Sequence, residues 1–450
     1  MNLIFDLDGT LLYTLADLKT SVNFALKKFG FPTKTLEEIQ NAVGNGLKML
    51  IFHSLPDDTP SPVVDAVLAE MKQHYAAHCY DQTMPYDGIT EMLRSLKDAG
   101  HRIAIVSNKA NVMVQTLKNV YFDGLIDFAV GESEIHQRKP APDMVFAAMD
   151  ALGKDAIYIG DSEVDIQTAK NANIPCLSVG WGYRSAEFLL QNGAERMIQT
   201  PLELIKNIKE RLFVELAQNV RNCEVCKYML TMPHIANPEY LVNDDHGLNT
   251  DNPYVNLWNL WHGNINADIM VIGQDFGQWQ EPQAFYNKQF FGKYDSHTDQ
   301  ALSELFEQIF GMNLVEKDAP LFFANIANCY RKQKTTGTMH SGWLPICANK
   351  FMARLITIIQ PKVIIVLGKA AFEAMYCLEG MPIICKNPSC SSKDSLDEIM
   401  NHEYYLVCNN KEVRVFPVYH PGANSIRNRS KERQLADWRA IKKYYDAISG

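Results

Sequence analysis

Leu3-Ile4-Phe5-Asp6-Leu7-Asp8-Gly9-Thr10 decides how this chain is read. The apolar run at 2–5 has the length and continuity of a strand buried on both faces. Asp6 and Asp8 stand at its C-terminal end with one residue between them, and alternate residues on an extended segment share a face. That spacing sets two carboxylates side by side, one to act as nucleophile and one to carry a proton. Ligands of open α/β sheets bind at such strand ends.

Working outward, further short apolar runs occupy 102–106 and 156–159, with amphipathic stretches at 15–29, 89–99, 143–152 and 165–172. Strand and helix alternate, which predicts a doubly wound α/β sheet. Residues 15–85 hold no good strand and read as a helical insertion. Each strand is followed by polar residues that suit a phosphate site. Ser107-Asn108-Lys109 offers a hydroxyl and amides, and Lys139 offers a fixed positive charge. Gly160-Asp161-Ser162-Glu163-Val164-Asp165 supplies hard oxygen ligands of the kind magnesium takes. One such cluster is an ordinary strand end; four in succession form a single chemical site.

With these pieces assembled, residues 1–210 resemble the haloacid dehalogenase superfamily, in particular phosphoglycolate-phosphatase-like members with a helical cap. The resemblance implies a Rossmann-like core in which Asp6 attacks phosphorus to form an aspartyl-phosphate. It implies that Asp8 protonates the leaving alkoxide and then activates water. Ser107 and Lys139 would hold the phosphoryl oxygens, with Thr10 and Asn108 also on the substrate side. Asp6, the Asp8 carbonyl and Asp161 would hold magnesium, supported by Asp165. Val43-Gly44-Asn45-Gly46-Leu47 matches the glycine-rich cap loop of that group, and Tyr13 stands where many relatives carry Asp.

The rest of the chain repeats the α/β rhythm. Strands are expected at 268–273, 321–326, 363–367 and 413–418, helices near 201–220, 299–310, 347–359 and 369–378, and loops at 236–256 and 381–396. The domains are expected to be 1–212, with the cap at about 15–85, and 213–450. Of ten cysteines only Cys79 and Cys176 fall in the first part. In a reducing cytosol that skew points to metal or cluster ligation rather than disulfides. Cys223-Glu224-Val225-Cys226, followed by Cys329 and Cys347, has ligand-like spacing. The spacing fits zinc and an iron–sulfur cluster alike.

Gly273-Gln274-Asp275-Phe276-Gly277 and Val418-Tyr419-His420-Pro421-Gly422 each follow a strand, so an acid and a histidine can aim at one atom. Together with Asn325-Ile326-Ala327-Asn328-Cys329 and Gln360-Pro361-Lys362, these segments resemble the uracil-DNA glycosylase superfamily over about 223–445. The resemblance implies an α/β/α domain with a 4Fe-4S cluster on Cys223, Cys226, Cys329 and Cys347. It implies base flipping, with Asp275 positioning water and His420 stabilising charge on the leaving base. Asn325 would read the base edge, Gln274 would also contact the substrate, and Phe290 or Phe291 would stack on the ring. Arg427, Arg429, Lys431 and Arg433 follow the histidine motif and would either clamp phosphates or form a solvated face. Gly277 and Gly422 depart from the commonest residues at their positions.

Bulk properties agree with a two-domain enzyme. Apolar residues make up 47% and charged ones 21% of 450 residues, as in ordinary globular proteins. Residues 1–212 hold 20 Lys+Arg against 27 Asp+Glu, whereas 411–450 hold 9 against 4. That local basic excess suits a phosphate-bearing partner. The start of the chain has none of the features of a signal peptide, and no apolar run is long enough to span a membrane, so a cytoplasmic protein is expected. The reading is a bifunctional hydrolase: a phosphatase acting on a small phosphate ester, fused to a glycosylase-like DNA-repair domain. The alternative is a phosphatase whose second domain only binds nucleic acid or protein.

Overall fold

The structure, a computed structural model, describes residues 1–44, 46–221, 223, 225, 235–236, 264–274, 297–314, 319–327, 330–331, 343–421 and 428–449. It divides into two compact units, Met1–Asn207 and Ile208–Gly450.

In the first unit β1 (Asn2–Phe5) is buried along its whole length. After it come β2 (Leu12–Tyr13), β3 (Met84–Pro85), β4 (Arg102–Ala110), β5 (Phe128–Glu132), β6 (Ala156–Gly160), β7 (Cys176–Val179) and β8 (Met197–Ile198). The sheet order is β5-β4-β1-β6-β7-β8, with parallel neighbours throughout. Strand order reverses beside β1, so the expected doubly wound fold is present with the Asp6 strand at its switch point. Phe5 pairs with Ile105 and Ile159, which aligns the ends of the three central strands. Ile4, Ala104, Val106 and Tyr158 pack with Met144, Val145, Ala148 and Ala169 to form one face of the core.

Between β2 and β3 lie four helices, Leu15–Lys28, Leu36–Ala42, Gly46–Ser54 and Ser61–His78. The first buries Leu15, Leu18, Val22, Ala25 and Leu26, the i, i+3, i+4 stripe of an amphipathic helix, and ends on Lys27 and Lys28. Thr35 and Glu38 form a reciprocal capping box that starts the second. The insertion is helical as expected, except that its last residues form β3, which pairs antiparallel with β2.

The second unit carries β9 (Ile235–Ala236), β10 (Ile269–Gly273), β11 (Leu321–Asn325), β12 (Tyr330–Arg331), β13 (Val363–Leu367), β14 (Ile383–Cys385), β15 (Tyr404–Cys408) and β16 (Lys411–Val418). Its main sheet runs β11-β10-β13-β16-β15-β14, parallel across the first four strands and antiparallel across the last two. Side chains alternate between two cores. Met270 and Ile272 join Phe213, Leu355 and Phe372 on one face. Ile269 and Val271 join Leu302, Phe306 and Trp438 on the other. Helices therefore cover both faces, and the expected α/β/α layering is found.

Four readings of the sequence need adjustment. β4 continues through Ser107-Asn108-Lys109 instead of stopping at 106, because pairing with β5 resumes at Ala110 after an irregularity. Part of 381–396, expected as loop, is β14. The long helix Lys431–Ser449 was not anticipated. Cys385 and Cys390 form a disulfide across a Cα separation of 6.6 Å, so two of the eight later cysteines are not free thiols. The turn after β14 brings them together. No described helix is long and apolar enough to cross a membrane.

Candidate active site

β1, β4 and β6 deliver their polar ends to one place. Asp6 is buried, and its Oδ1 lies 2.8 Å from Lys139 Nζ. The same ammonium reaches Asp165 Oδ1 at 2.7 Å and Tyr158 Oη at 3.1 Å. Asp165 closes a capping box with Ser162 and also accepts from Tyr158, so its carboxylate is held on several sides. Asp161 accepts from Thr10 Oγ1 at 3.0 Å and from the Tyr183 amide at 2.7 Å. Carboxylate oxygens of Asp6, Asp161 and Asp165 lie within 4.8 Å of one another.

Three buried carboxylates around one ammonium leave negative charge uncompensated. Burial and the neighbouring Asp165 hold the Asp6 carboxyl well above the usual range, against the pull of Lys139. Burial and Asp165 likewise push Asp161 up to about 7. Burial would lower Lys139, yet Asp165 and Asp6 hold it above its ordinary value. A hard divalent cation would relieve this repulsion, and the all-oxygen donor set fits magnesium.

Asp8 is set apart from that cluster. Its Oδ1 lies 2.7 Å from Lys109 Nζ and accepts from Thr14 Oγ1 at 2.6 Å. Lys109 Nζ also donates to Tyr75 Oη, at 2.7 Å, from the helix Ser61–His78. Thr14 Oγ1 in turn meets Tyr183 Oη at 2.9 Å.

A cavity of about 690 Å³, counting the space at its mouth, opens above these groups. Asp6, Asp8, Ser107, Asn108, Lys139 and Asp161 line its floor, and Val43, Gly44, Gly46, Leu47 and Leu50 approach from the insertion. Asn108 trades hydrogen bonds with the Lys139 backbone, donating to its carbonyl at 3.1 Å and accepting from its amide at 2.7 Å, which ties the end of β4 to the segment carrying Lys139. Gly46 has a φ of +79°, a left-handed conformation that strains any residue carrying a Cβ, and the Arg138 guanidinium lies over it.

The structure thus gathers Asp6, Asp8, Ser107, Asn108, Lys139, Asp161 and Asp165. Thr10, expected on the substrate side, is fully buried and gives its hydroxyl to Asp161. Sequence reasoning passed over Thr14, Tyr75, Tyr158, Tyr183 and Arg184. The signal for the last two was Gly180-Trp181-Gly182 after β7, a strand that reading did not find.

In the second unit, Gly273-Gln274, Asn325, Gly368 and His420 line up along the C-terminal edge of β10, β11, β13 and β16. A Cβ on Gly273 would lie 2.3 Å from Asn325 Oδ1, so the Asn325 side chain rests on that glycine. The Ile326 amide bonds the Gly273 carbonyl at 2.9 Å and the Ala327 amide bonds that of Gln274 at 3.0 Å. Gly368, at φ +88°, sits beside His420 and donates to the Val418 carbonyl at 2.7 Å. Asp275, Phe290, Cys226 and Cys329 lie outside the described residues. Cys347 is buried, and half-buried Cys223 has Lys350 Nζ 3.3 Å from its sulfur.

Two of the basic residues after His420 are engaged within the protein. Arg429 forms a bidentate pair with Asp437, at 2.6 and 2.7 Å, and a third bond to Asp397 at 2.7 Å. Lys431 pairs with Glu304 at 2.9 Å. Arg433 is exposed and Arg427 lies outside the described residues.

Residues 3–179 match the family model for haloacid dehalogenase-like hydrolase, and 260–443 match that for the uracil DNA glycosylase superfamily. The chain is 34% identical over 220 residues to a phosphoglycolate phosphatase of Colwellia psychrerythraea, covering 46% of this chain and 96% of that protein. It is 37% identical over 188 residues to the phosphoglycolate phosphatase of Cereibacter sphaeroides, covering 41% and 86%. For that of Pseudomonas syringae pv. syringae the identity is 31% over 211 residues, covering 45% and 78%. Sheet order, acidic cluster and family match agree: the chain belongs to the haloacid dehalogenase-like hydrolases through its phosphoglycolate-phosphatase-like first domain, and carries behind it a domain of the uracil-DNA glycosylase superfamily.

Proposed function

We propose that the first domain, residues 1–212 with its cap at about 15–85, hydrolyses a small phosphate monoester of the phosphoglycolate type. The observation that carries this reading is the convergence of Asp6, Asp161 and Asp165 on Lys139 beneath a capped cavity, with Asp8 held separately. Asp6 attacks phosphorus, forming a new P–O bond as the ester P–O bond breaks. Asp8 gives its proton to the departing alkoxide and then takes one from the water that cleaves the aspartyl-phosphate, releasing inorganic phosphate. Lys139, Ser107 and Asn108 orient the phosphoryl oxygens. Asp6, the Asp8 carbonyl and Asp161, with Asp165 behind them, would hold magnesium, which supplies positive charge against the phosphoryl oxygens when bound. Phosphate release from 2-phosphoglycolate should require magnesium and disappear in Asp6→Asn; a variant that keeps its activity refutes the nucleophile.

The second domain, residues 213–450, is read as excising uracil or a related base from DNA. His420 would stabilise the leaving base, Asp275 would position water, and Asn325, Gln274 and Phe290 would hold the base. The row of Gln274, Asn325 and His420 along one sheet edge supports this. Cys223, Cys226, Cys329 and Cys347 would hold a 4Fe-4S cluster; burial of Cys347 and the ammonium beside Cys223 suit thiolate ligands. Uracil-containing single- and double-stranded oligonucleotides should acquire abasic sites with wild type and not with His420→Ala. Absence of product would favour a domain that only binds. Iron and acid-labile sulfide in the purified protein would agree with the cluster, and stoichiometric zinc would refute it.

A further inference from the structure

Arg184 ends the turn Gly180-Trp181-Gly182-Tyr183 that follows β7 and extends to the insertion between β2 and β3. Its Nη1 donates to the Gln40 carbonyl at 3.1 Å and its Nη2 to the Val43 carbonyl at 2.8 Å. Those carbonyls belong to the last turn and C-cap of the helix Leu36–Ala42. The last carbonyls of a helix have no partner within it and carry the negative end of its dipole. This helix has no basic residue in its own last turn, so the cation comes from the core instead.

Two further contacts fix the geometry. Arg184 Nε donates to Glu163 Oε2 at 3.1 Å, orienting the guanidinium plane, and the side chain is only 14% exposed. In return, Gln40 Nε2 donates to the Tyr183 carbonyl at 2.7 Å. Three hydrogen bonds therefore join 183–184 to 40–43. Directly beyond, Val43 and Gly44 line the cavity that contains Asp6.

We propose that Arg184 is a positioning residue: a latch carried by the core that seats cap residues 40–44 over the catalytic cavity. Its part in turnover rests on the phosphatase reading above; its part in holding the cap does not. Glu163 presets the fork, and the fork grips the carbonyl end of the cap helix. Lysine carries the same charge but lacks the planar fork that spans both carbonyls at once.

The test uses the full chain as wild type, Arg184→Met, Arg184→Lys and Gln40→Ala, followed by hydrogen exchange of peptides covering 36–44 and of those covering β1 and β6. In Arg184→Met, exchange across 36–44 should speed up roughly tenfold, the scale of losing charge-assisted hydrogen bonds, while β1 and β6 keep their rates. Gln40→Ala should move the same peptide in the same direction, and Arg184→Lys should recover part of the protection. Turnover of 2-phosphoglycolate should follow the same order, kcat/KM dropping most in Arg184→Met. Unchanged exchange at 36–44 in Arg184→Met overturns the latch. So does an equal rise in β1 and β6, which would make Arg184 a general stabiliser. A wild-type chain without phosphatase activity would overturn the preceding reading and leave the exchange data to decide on the latch.

Discussion

Stripping divalent metal from the first domain should make its stability fall as pH rises, through the raised carboxyls of Asp161 and Asp6. Burial, and then the Asp165 carboxylate, push the Asp161 carboxyl from the ordinary 3.8 up to about 7. A carboxyl raised on folding keeps its proton in the native state over a range where the unfolded chain has already lost it. Its contribution is complete below the unfolded value and is lost as pH rises through the folded one. Between about pH 5 and pH 7 that is two units, or roughly 3 kcal/mol. For a domain of this size the midpoint should drop by about 6–12 °C. Asp6, raised mainly by burial, adds a slope of the same sign. His101 adds one of opposite sign, because burial lowers it to about 4. The quantity to measure is therefore the difference between wild type and Asp161→Asn, which share His101. Thermal unfolding of the full chain in chelator across this pH range gives it, with the first domain's transition identified by its response to magnesium. Wild type should lose stability relative to the variant toward neutral pH and regain it with saturating magnesium. Equal pH slopes in the two proteins, or a wild-type midpoint indifferent to magnesium at neutral pH, would refute the reasoning.

The acid limb should belong to His101, whose ring is buried and neutral in the native state. Its contribution is present above the unfolded value near 6.5 and is lost as pH falls toward 4, about 3 kcal/mol in all, so His101→Gln should flatten the unfolding midpoint there. At Gly9, φ is +87° and a Cβ would lie 2.3 Å from Asp161 Oδ2. Gly9→Ala should cut phosphate release by about two orders of magnitude and abolish the magnesium-induced shift in midpoint. Arg429→Met should lower the second domain's unfolding midpoint by the equivalent of roughly 2–3 kcal/mol, since three charge-assisted bonds to Asp397 and Asp437 are lost. A variant with unchanged stability and a shallower salt dependence of DNA binding would instead make Arg429 a phosphate clamp.

Features written locally in the sequence were legible, and those made by distant pairing were not. β1 could be read because four successive buried apolar residues run straight into Asp6. Asp161 and Asp165 could be read because β6 ends in the same way. β7 and β8 are short, and Ser178 interrupts the apolar run of β7, so the strand end that presents Tyr183 and Arg184 stayed hidden. β14 and β15 pair antiparallel at the sheet edge, where half-exposed residues dilute the pattern. Lys431–Ser449 buries a narrow stripe of Trp438, Ile441 and Tyr445 amid many charges. Side-chain partnerships were the least accessible. Asp8 and Lys109 are 101 residues apart in sequence, and Arg429 and Asp397 are 32 apart. A motif names such residues but cannot say which of them are already engaged.

The pairing of β2 with β3 has a consequence for how this enzyme type diversifies. Leu12 lies opposite Pro85 and Tyr13 opposite Met84, and the Tyr86 amide bonds the Leu11 carbonyl at 3.3 Å. The chain leaves the core and returns to it through two touching strands, whatever is threaded between them. Loop closure is thus settled at the stem, and lengthening what hangs from it adds only slowly to the entropic cost. The stem behaves like a socket: a different helical module, or a two-residue turn in place of residues 14–83, could be plugged in without disturbing the sheet that carries Asp6. Residues 14–83, which reach over the cavity, can then be exchanged while the sheet beneath it stays as it is.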